Sequence, residues 1–306
     1  MRILLAALLL SSVVIPTVYA ENYSYSPFRT GQSPEGILPS NEQIREDMEV
    51  LSKMSSKLRV YSDSNLEPIL KYAHIYDLKL SVETDDVSKV IPLDANYPGT
   101  IESIIINSKD LTTTNPEQII SKIREAKQLT DIPITTLSNP KVWLDNPELA
   151  MAVDFIFTDV FTDEITPADS ANKIKKINEL LTQRYPYKHI VYETGWSTVE
   201  SSKTEQLQFI GEINKLGLDL FYFEYTDEDW KQNKKDAGYG ILTADRKEKT
   251  DVIVAAPNII EQYVESIQKD TTTQAATGIG LAGLIGLIIK FVVPIITKSP
   301  WGDPTY

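Results

Sequence analysis

Lys57-Leu-Arg-Val-Tyr-Ser62 is a short β-rich run, and Lys79-Leu-Ser-Val-Glu-Thr84 is the next one along the chain. Most such runs are bounded by residues with helical periodicity, and strands that alternate with helices are typical of a parallel sheet. Eight runs at intervals of roughly 20 to 35 residues fit a closed barrel better than an open sheet. The sequence therefore predicts a (β/α)8 TIM barrel, with a doubly wound open sheet as the alternative. The predicted strands are residues 23–29, 57–62, 79–84, 103–108, 132–138, 154–160, 189–197 and 220–225.

Helix start signals support this alternation of strands and helices. Ser40 and Gln43 have the spacing of a capping box, and Asn115 followed by Pro116 marks the start of a second helix. Apolar residues then recur with helical spacing on one face. The residues expected to face the core are Ile44, Met48 and Leu51 in the first helix and Ile119, Ile120 and Ile123 in the second.

The composition excludes several kinds of function. The 306-residue chain carries 43 acidic and 30 basic residues, and its formal net charge at pH 7 is −13. Such an acidic surface repels phosphate backbones, so we expect no nucleic-acid partner. The chain has no cysteine and only two histidines, which excludes disulfides and thiolate chemistry and argues against a zinc site.

Both ends of the sequence carry apolar segments. Residues 1–20 have the features of a signal peptide, with an uncleaved N-terminal anchor as the alternative. Residues 21–269 are expected to form the barrel and residues 270–277 a polar linker. Residues 278–297 are apolar over about the length that spans a bilayer, which favours a transmembrane helix over a self-associating or surface-lying one. With the polar tail 298–306, these segments predict an exported protein that is attached to a membrane.

The C-terminal ends of the predicted strands are rich in carboxylates. In barrels of this type the working residues lie at these ends, and a pair of carboxylates is sufficient for glycoside hydrolysis. Glu193 is the most prominent, because it ends an apolar run and is followed by Trp196, whose ring can stack on a sugar. Taken one at a time, the other carboxylates also fit solvated loop residues. The residues at the eight ends are Arg29, Tyr61, Glu83, Ser108, Ser138, Asp159, Glu193 and Glu224.

Six blocks of sequence stand out in order along the predicted barrel. They are Asn22-Tyr-Ser-Tyr-Ser-Pro-Phe-Arg-Thr-Gly-Gln-Ser-Pro34, Leu58-Arg-Val-Tyr-Ser62, Pro133-Ile-Thr-Thr136, Trp143-Leu-Asp-Asn-Pro-Glu-Leu-Ala-Met-Ala-Val-Asp154, Glu193-Thr-Gly-Trp-Ser197 and Tyr222-Phe-Glu-Tyr-Thr-Asp-Glu-Asp-Trp-Lys231. Together they resemble the bacterial members of glycoside hydrolase family 17. The resemblance runs from about Asn22 to Lys249, which is nearly the whole predicted barrel.

This resemblance implies a β-1,3-glucan hydrolase or transglycosylase that retains the anomeric configuration, with Glu193 at the position of the nucleophile. It also implies that the strand-eight motif helps to line the sugar site. No metal or organic cofactor is expected, because carboxylate-driven glycoside cleavage needs none. Together with the strand ends, it gives an expected set of substrate-binding residues: Arg29, Tyr61, Asn107, Trp196, Glu224, Trp230 and Lys231.

The sequence departs from the family pattern at the acid/base position. After strand four the family carries Gly-Asn-Glu, whereas this chain has Ile106-Asn107-Ser108. A serine hydroxyl does not protonate a glycosidic oxygen near neutral pH, and loss of a general acid costs about 10²–10⁴-fold in rate. Glu83 or Asp159 is the candidate for a relocated acid/base, and Asp110 is a further carboxylate within reach.

Three functions remain open from the sequence. The first is a membrane-attached hydrolase or transglycosylase that acts on β-glucan. The second is a catalytically inactive barrel that binds glucan or a partner at the former cleft. The third is a scaffold whose function lies in the apolar tail, where Gly278, Gly280, Ala282 and Gly286 place small residues on one helix.

Overall fold

A closed parallel barrel is the central feature of the computed structural model, which describes residues 22–61, 65–107, 115–162, 166–199 and 201–249. Eight strands follow one another around the barrel in chain order, and β1 closes it by pairing in parallel with β8. The predicted (β/α)8 barrel is therefore confirmed. The strands are β1 Asn22–Ser24, β2 Lys57–Tyr61, β3 Lys79–Thr84, β4 Ile101–Ile106, β5 Ile134–Ser138, β6 Ile156–Asp159, β7 Ile190–Thr194 and β8 Leu220–Tyr222.

Every strand is followed by at least one helix in the described residues, and two short helices follow β5. The helices are α1 Asn41–Leu51, α2 Leu66–Ile75, α3 Val87–Asn96, α4 Pro116–Ala126, α5 Pro140–Asp145, α6 Pro147–Ala152, α7 Pro167–Arg184, α8 Lys203–Asn214 and α9 Lys234–Ala237. None of the helices in the described part of the chain is long and apolar enough to cross a membrane.

The predicted helix starts are confirmed. The Ser40 side chain accepts from the Gln43 backbone N–H at 3.2 Å, and the Gln43 side chain accepts from the Ser40 backbone N–H at 2.8 Å. Asn115 caps α4 by accepting from the Glu117 N–H at 3.1 Å, and Pro116 occupies the first turn. The apolar residues predicted on the inner face of each helix are buried.

Three strands end three or more residues earlier than predicted. β1 stops at Ser24, since Pro27 has no backbone N–H to donate to a continued ladder. Arg29 therefore lies in a loop rather than at a strand end. β7 ends at Thr194 and β8 at Tyr222, so Glu224 follows its strand by two residues.

The barrel interior is layered. Ile105, Phe157, Val191 and Phe221, from four different strands, pack together as an apolar cluster. Side chains two residues apart on a strand share a face. Asp159 and Glu193 lie two residues beyond members of this cluster, and they therefore face the interior one layer nearer the C-terminal mouth.

The segment after α9 returns to the barrel mouth and secures the loop that follows β1. The Arg246 guanidinium donates to the Asp47 carboxylate at 2.6 Å and to the carbonyls of Pro27 and Phe28 at 2.9 and 2.8 Å. Thr30 also donates to Asp229 at 2.8 Å, which joins this loop to the one that follows β8. Residues far apart in the chain thereby form one wall of the mouth.

The predicted signal peptide 1–20, linker 270–277, transmembrane segment 278–297 and tail 298–306 lie outside the described residues. The same holds for Ser108 and Asp110. These assignments stay sequence predictions.

Candidate active site

Glu193 lies at the base of a pocket at the C-terminal mouth of the barrel and is only 3% exposed. Ser24 from β1 donates a short hydrogen bond to its Oε1, and Arg59 from β2 donates to the same oxygen at 2.7 Å. Both of its hydrogen bonds within the described residues are thus accepted by Oε1. One carboxylate oxygen is fixed, and the side chain still lines the pocket.

Arg59 connects Glu193 to two further groups. Its Nη1 also donates to the Tyr61 phenol oxygen at 2.7 Å, and its Nη2 is ion-paired with Glu83 from β3. Burial opposes the charge of Arg59, but Glu193, Tyr61 and Glu83 outweigh burial and raise its pKa. Arginine presents its donors in a fixed fork, so one guanidinium serves two carboxylates at once. We call Arg59, Glu193 and Glu83 the Arg59 cluster.

A second buried charge cluster follows β8. Lys231 Nζ is ion-paired with Glu228 and lies 3.6 Å from Glu224 Oε1. Glu224 and Glu228 are only 1% and 2% exposed, whereas Lys231 reaches the pocket. Burial raises the pKa of Glu224 well above its ordinary value, and the charge of Glu228 adds to this while Lys231 opposes it. We call Lys231, Glu224 and Glu228 the Lys231 cluster.

The pocket has a volume of about 980 Å³ and combines aromatic walls with charged groups. Phe161, Phe223 and Tyr239 contact one another edge to face, with ring centroids 5.3–5.6 Å apart. Trp230 is 37% exposed and packs on Phe28, with the two ring centroids 5.8 Å apart. The described lining residues are Ser33, Pro34, Glu35, Arg59, Tyr61, Phe161, Glu193, Phe223, Trp230, Lys231, Gln232, Asp236 and Tyr239.

The size and chemistry of this pocket suit a sugar oligomer. Ligand pockets typically measure about 300–1,000 Å³ and combine aromatic walls with a few placed polar groups. Gly195 contributes to the shape, since a Cβ there would lie 1.9 Å from the Phe223 carbonyl oxygen. The glycine in Glu193-Thr-Gly195 therefore allows the loops after β7 and β8 to approach closely.

Four residues predicted from the sequence line the pocket, namely Tyr61, Glu193, Trp230 and Lys231. Glu224 is buried behind Lys231, and Glu83 reaches the site through Arg59. Asn107 follows β4, where its backbone N–H donates to the Thr84 carbonyl at 2.9 Å.

Two predicted sugar-binding residues are engaged elsewhere. Arg29 contacts helix α1, with its guanidinium 2.9 Å from Glu46 and 3.5 Å from Asp47. Trp196 packs on Phe209 of α8 at 5.3 Å between ring centroids, and its backbone carbonyl accepts from Gln206 at 2.8 Å. Neither Arg29 nor Trp196 is among the residues that line the pocket. Their role in sugar binding stays a prediction.

The two candidates for a relocated acid have different environments. Glu83 is paired with Arg59, and an arginine neighbour favours the ionised form of a carboxyl group. Asp159 is the register partner of Glu193 on the adjacent strand, and its buried Oδ1 has no hydrogen-bond partner within the described residues. Burial raises the pKa of Asp159, with Arg59 opposing part of the effect. Asp159 is therefore the better suited of the two to hold a proton.

Several site residues were missed in the sequence. Arg59 lies within the block that identified Tyr61, and a charged residue between Leu58 and Val60 in an apolar strand was a usable signal. Phe161 and Tyr239 come from loops, where no periodicity marks them. No group of three or more His, Asp or Glu side chains suited to a metal ion occurs among the described residues.

The fold is similar to that of several solved carbohydrate-active enzymes. An active-site mutant of Rhizomucor miehei β-1,3-glucanosyltransferase in complex with laminaritriose matches with a TM-score of 0.64 and 17% identity, over 76% of this chain and 96% of that one. The glycoside hydrolase family 17 β-1,3-glucanosyltransferase from the same organism gives a TM-score of 0.62 and 17% identity, over 75% and 95%. A GH2 β-galacturonidase from Eisenbergiella tayi bound to galacturonate gives 0.60 and 13%, over 81% and 51%. At these identities the likeness concerns the fold.

Sequence similarity is more specific. Among curated protein sequences, none matches this chain. The family model of the BtgE/BtgC glycoside hydrolase domain matches residues 23–240, which include both charge clusters and, except for Asn22, all eight strands. The chain therefore belongs to the BtgE/BtgC glycoside hydrolase domain family.

Proposed function

We propose that this protein is a retaining glycoside hydrolase or transglycosylase that acts on β-1,3-glucan, with Glu193 as its nucleophile. The observation that carries the proposal is the position of Glu193 at the base of an aromatic-walled pocket, with Oε1 held by Ser24 and Arg59. Family membership and the β-1,3-glucanosyltransferases among the structural neighbours support the substrate class.

In the first step, Glu193 attacks the anomeric carbon and forms a covalent glycosyl ester. Asp159 donates a proton to the departing glycosidic oxygen, which takes the electron pair of the broken bond. Retaining enzymes place the two carboxyl groups about 5–5.5 Å apart, and neighbouring strands are about 4.8 Å apart. Adjacent register positions on β6 and β7 suit this requirement.

In the second step, ionised Asp159 takes a proton from the incoming water or sugar hydroxyl. The oxygen attacks the anomeric carbon, and the ester bond to Glu193 breaks. Water gives hydrolysis, and a sugar hydroxyl gives transglycosylation. Arg59 and Ser24 hold Oε1 of Glu193 in place, and the rings of Trp230 and Phe161 supply surfaces on which sugar rings stack.

The test is turnover of laminarin and laminaritriose by the purified protein. We expect release of reducing ends or formation of longer oligosaccharides, with retention of configuration in the NMR spectrum of the first product. Glu193→Gln should lose on the order of 10⁴-fold or more in rate, because the attacking group is gone. Asp159→Asn should lose about 10²–10⁴-fold. Glu148→Gln, an exposed change on α6, is the matched control. Full activity of Glu193→Gln would refute the assignment.

A second candidate is a barrel that binds glucan without cleaving it. Ser108 at the position of the family acid/base favours this alternative. It predicts that wild-type protein binds laminaritriose with no turnover. Trp230→Ala should weaken binding in either case, whereas Tyr187→Ala, a fully exposed residue before β7, should not.

Export through residues 1–20 and membrane attachment through 278–297 stay part of the proposal, and deletion of 271–306 tests the attachment.

A further inference from the structure

The Lys231 cluster contains two buried carboxyl groups and one ammonium, so its charges do not balance if both glutamates are ionised. Glu228 contacts Lys231 directly. Both oxygens of Glu224 are buried and have no hydrogen-bond partner within the described residues, and the Lys231 ammonium lies 3.6 Å from the nearer one. A buried carboxylate without donors is costly.

A proton on Glu224 resolves this cost. Two carboxylates are both acceptors and cannot hydrogen-bond to each other, whereas a protonated carboxyl group is a donor. Glu228 is the neighbouring acceptor, and its interactions with Glu224 favour the neutral form of Glu224. Two carboxyl groups that share a site commonly hold one proton between them.

We propose that Glu224 and Glu228 share one proton, and that this pair holds the Lys231 ammonium in the pocket as a hydrogen-bond donor to the bound sugar. The sugar-binding part rests on the proposed function. Lys231 lines the pocket and lies over the rings of Phe223 and Trp230, at 4.6 and 5.9 Å from their centroids. It is therefore placed beside the surfaces on which a sugar ring would stack. Glu224 and Glu228 are positioning residues that act through Lys231.

Other charged groups around the Lys231 cluster influence the ionisation of Glu224 and Lys231. Electrostatic interaction with Glu193 on β7 disfavours a charge on Glu224 and raises its pKa. Lys249 attracts Glu224 but is ion-paired with Asp227 at 2.7 Å. Asp236 on α9 acts on Lys231 and favours its charged form. Among the described residues, Lys231 is therefore the only cation that contacts the pair of Glu224 and Glu228.

The shared proton makes the position of Lys231 depend on pH. With the proton present, the ammonium is held by Glu228 at the edge of the pocket. When the pair loses the proton, two carboxylates attract the same ammonium and draw it away from the sugar. The affinity for sugar should then fall about tenfold on the alkaline side, which corresponds to the loss of one charge-assisted hydrogen bond.

Infrared difference spectroscopy of the full chain tests the proton without any sugar. We expect a protonated-carboxyl C=O band near neutral pH that disappears in Glu224→Gln. Glu228→Gln should also remove the band from Glu224, because Lys231 then has Glu224 as its only carboxylate partner in the cluster. Asp159→Asn, which removes another carboxyl group of raised pKa, should leave that band in place. A spectrum without the Glu224 band, or one in which Glu228→Gln keeps it, overturns the shared proton.

Titration of wild-type protein with laminaritriose, followed by Trp fluorescence across a pH series, tests the positioning role. Wild type should lose affinity as pH rises, and Glu224→Gln should flatten this dependence because its amide cannot ionise. Circular dichroism checks that the variant is folded. An equally steep dependence in Glu224→Gln overturns the role of the pair. Absence of binding at every pH, with the infrared result as expected, defeats the proposed function and leaves the shared proton supported.

Discussion

The Arg59 and Lys231 clusters each place two glutamates around one cation at the same barrel mouth, yet they differ in how closely the cation contacts the two carboxyl groups. Arg59 contacts Glu193 and Glu83 through separate nitrogens of one planar fork. Lys231 is a point charge and makes its close contact with Glu228, which leaves Glu224 without a donor among the described residues. The geometry of the cation thus decides how many carboxyl groups it can contact closely at once.

Function follows from this difference. In the proposed function Glu193 is the nucleophile, and its Oε1 accepts from Ser24 and Arg59. Glu224, which shares a proton in the proposed pair, has no donor to either carboxyl oxygen among the described residues. The two clusters therefore bring carboxyl groups with different hydrogen-bond partners to the edge of one pocket.

Replacement of Arg59 should have the largest effect on stability. Arg59→Ala leaves Glu193 and Glu83 without their cation, and breaking a buried ion pair costs about 3–5 kcal/mol. Urea unfolding at neutral pH measures the loss in free energy.

The control for this change is Lys141→Ala, which removes an exposed pair with Asp145 on α5. It should change the free energy of unfolding by less than about 0.5 kcal/mol. A similarly small effect of Arg59→Ala would mean that the Arg59 cluster is not held by charge.

Replacement of Glu224 should have an intermediate effect that depends on pH. Burial raises the pKa of Glu224 in the folded protein above the ordinary glutamate value of about 4.3. Wild type therefore loses stability as pH rises from about 4.3 towards the folded pKa. The loss is about 1.4 kcal/mol for each pH unit between the two pKa values. Glu224→Gln avoids this loss. Its melting temperature relative to wild type should therefore increase with pH across that window, as thermal unfolding will show.

The control for this change is Glu148→Gln, which removes an exposed carboxyl group on α6. Its melting temperature should follow that of wild type at every pH. If Glu224→Gln behaves in the same way, Glu224 is ionised in the folded protein and the contrast between the clusters fails.

Removal of the Tyr61 hydroxyl should have the smallest effect. The phenol oxygen accepts from Arg59 at 2.7 Å, but both carboxylates remain to hold the guanidinium. Tyr61→Phe should therefore cost only about 0.5–1.5 kcal/mol in the free energy of unfolding. Tyr187→Phe, at a fully exposed ring, should cost nothing measurable. A loss as large as that of Arg59→Ala would show that Tyr61 is an essential member of the cluster.

The strand ends illustrate how far sequence reasoning reached. The position of Glu193 is predictable because the apolar run before it predicts β7, and the structure places Glu193 near the end of that strand. Arg29 does not end a strand, because β1 stops at Ser24 and its ladder does not continue past Pro27 although the β-rich composition does. Trp196 was expected at the sugar, but its ring packs on Phe209 of α8, a contact that no local pattern reveals.

The sequence by itself determined the eight-fold alternation of strands and helices, the helix caps and the carboxyl group of Glu193 near the end of strand β7. These features depend on neighbours within a few residues, so periodicity and capping chemistry encode them directly. Only the tertiary structure decided that Arg59 joins Glu193 to Glu83, and that Glu224 is left with Glu228 and too few donors. Those partners come from different strands and loops. The burial of each carboxyl group and the number of donors that reach it become defined only when the barrel closes.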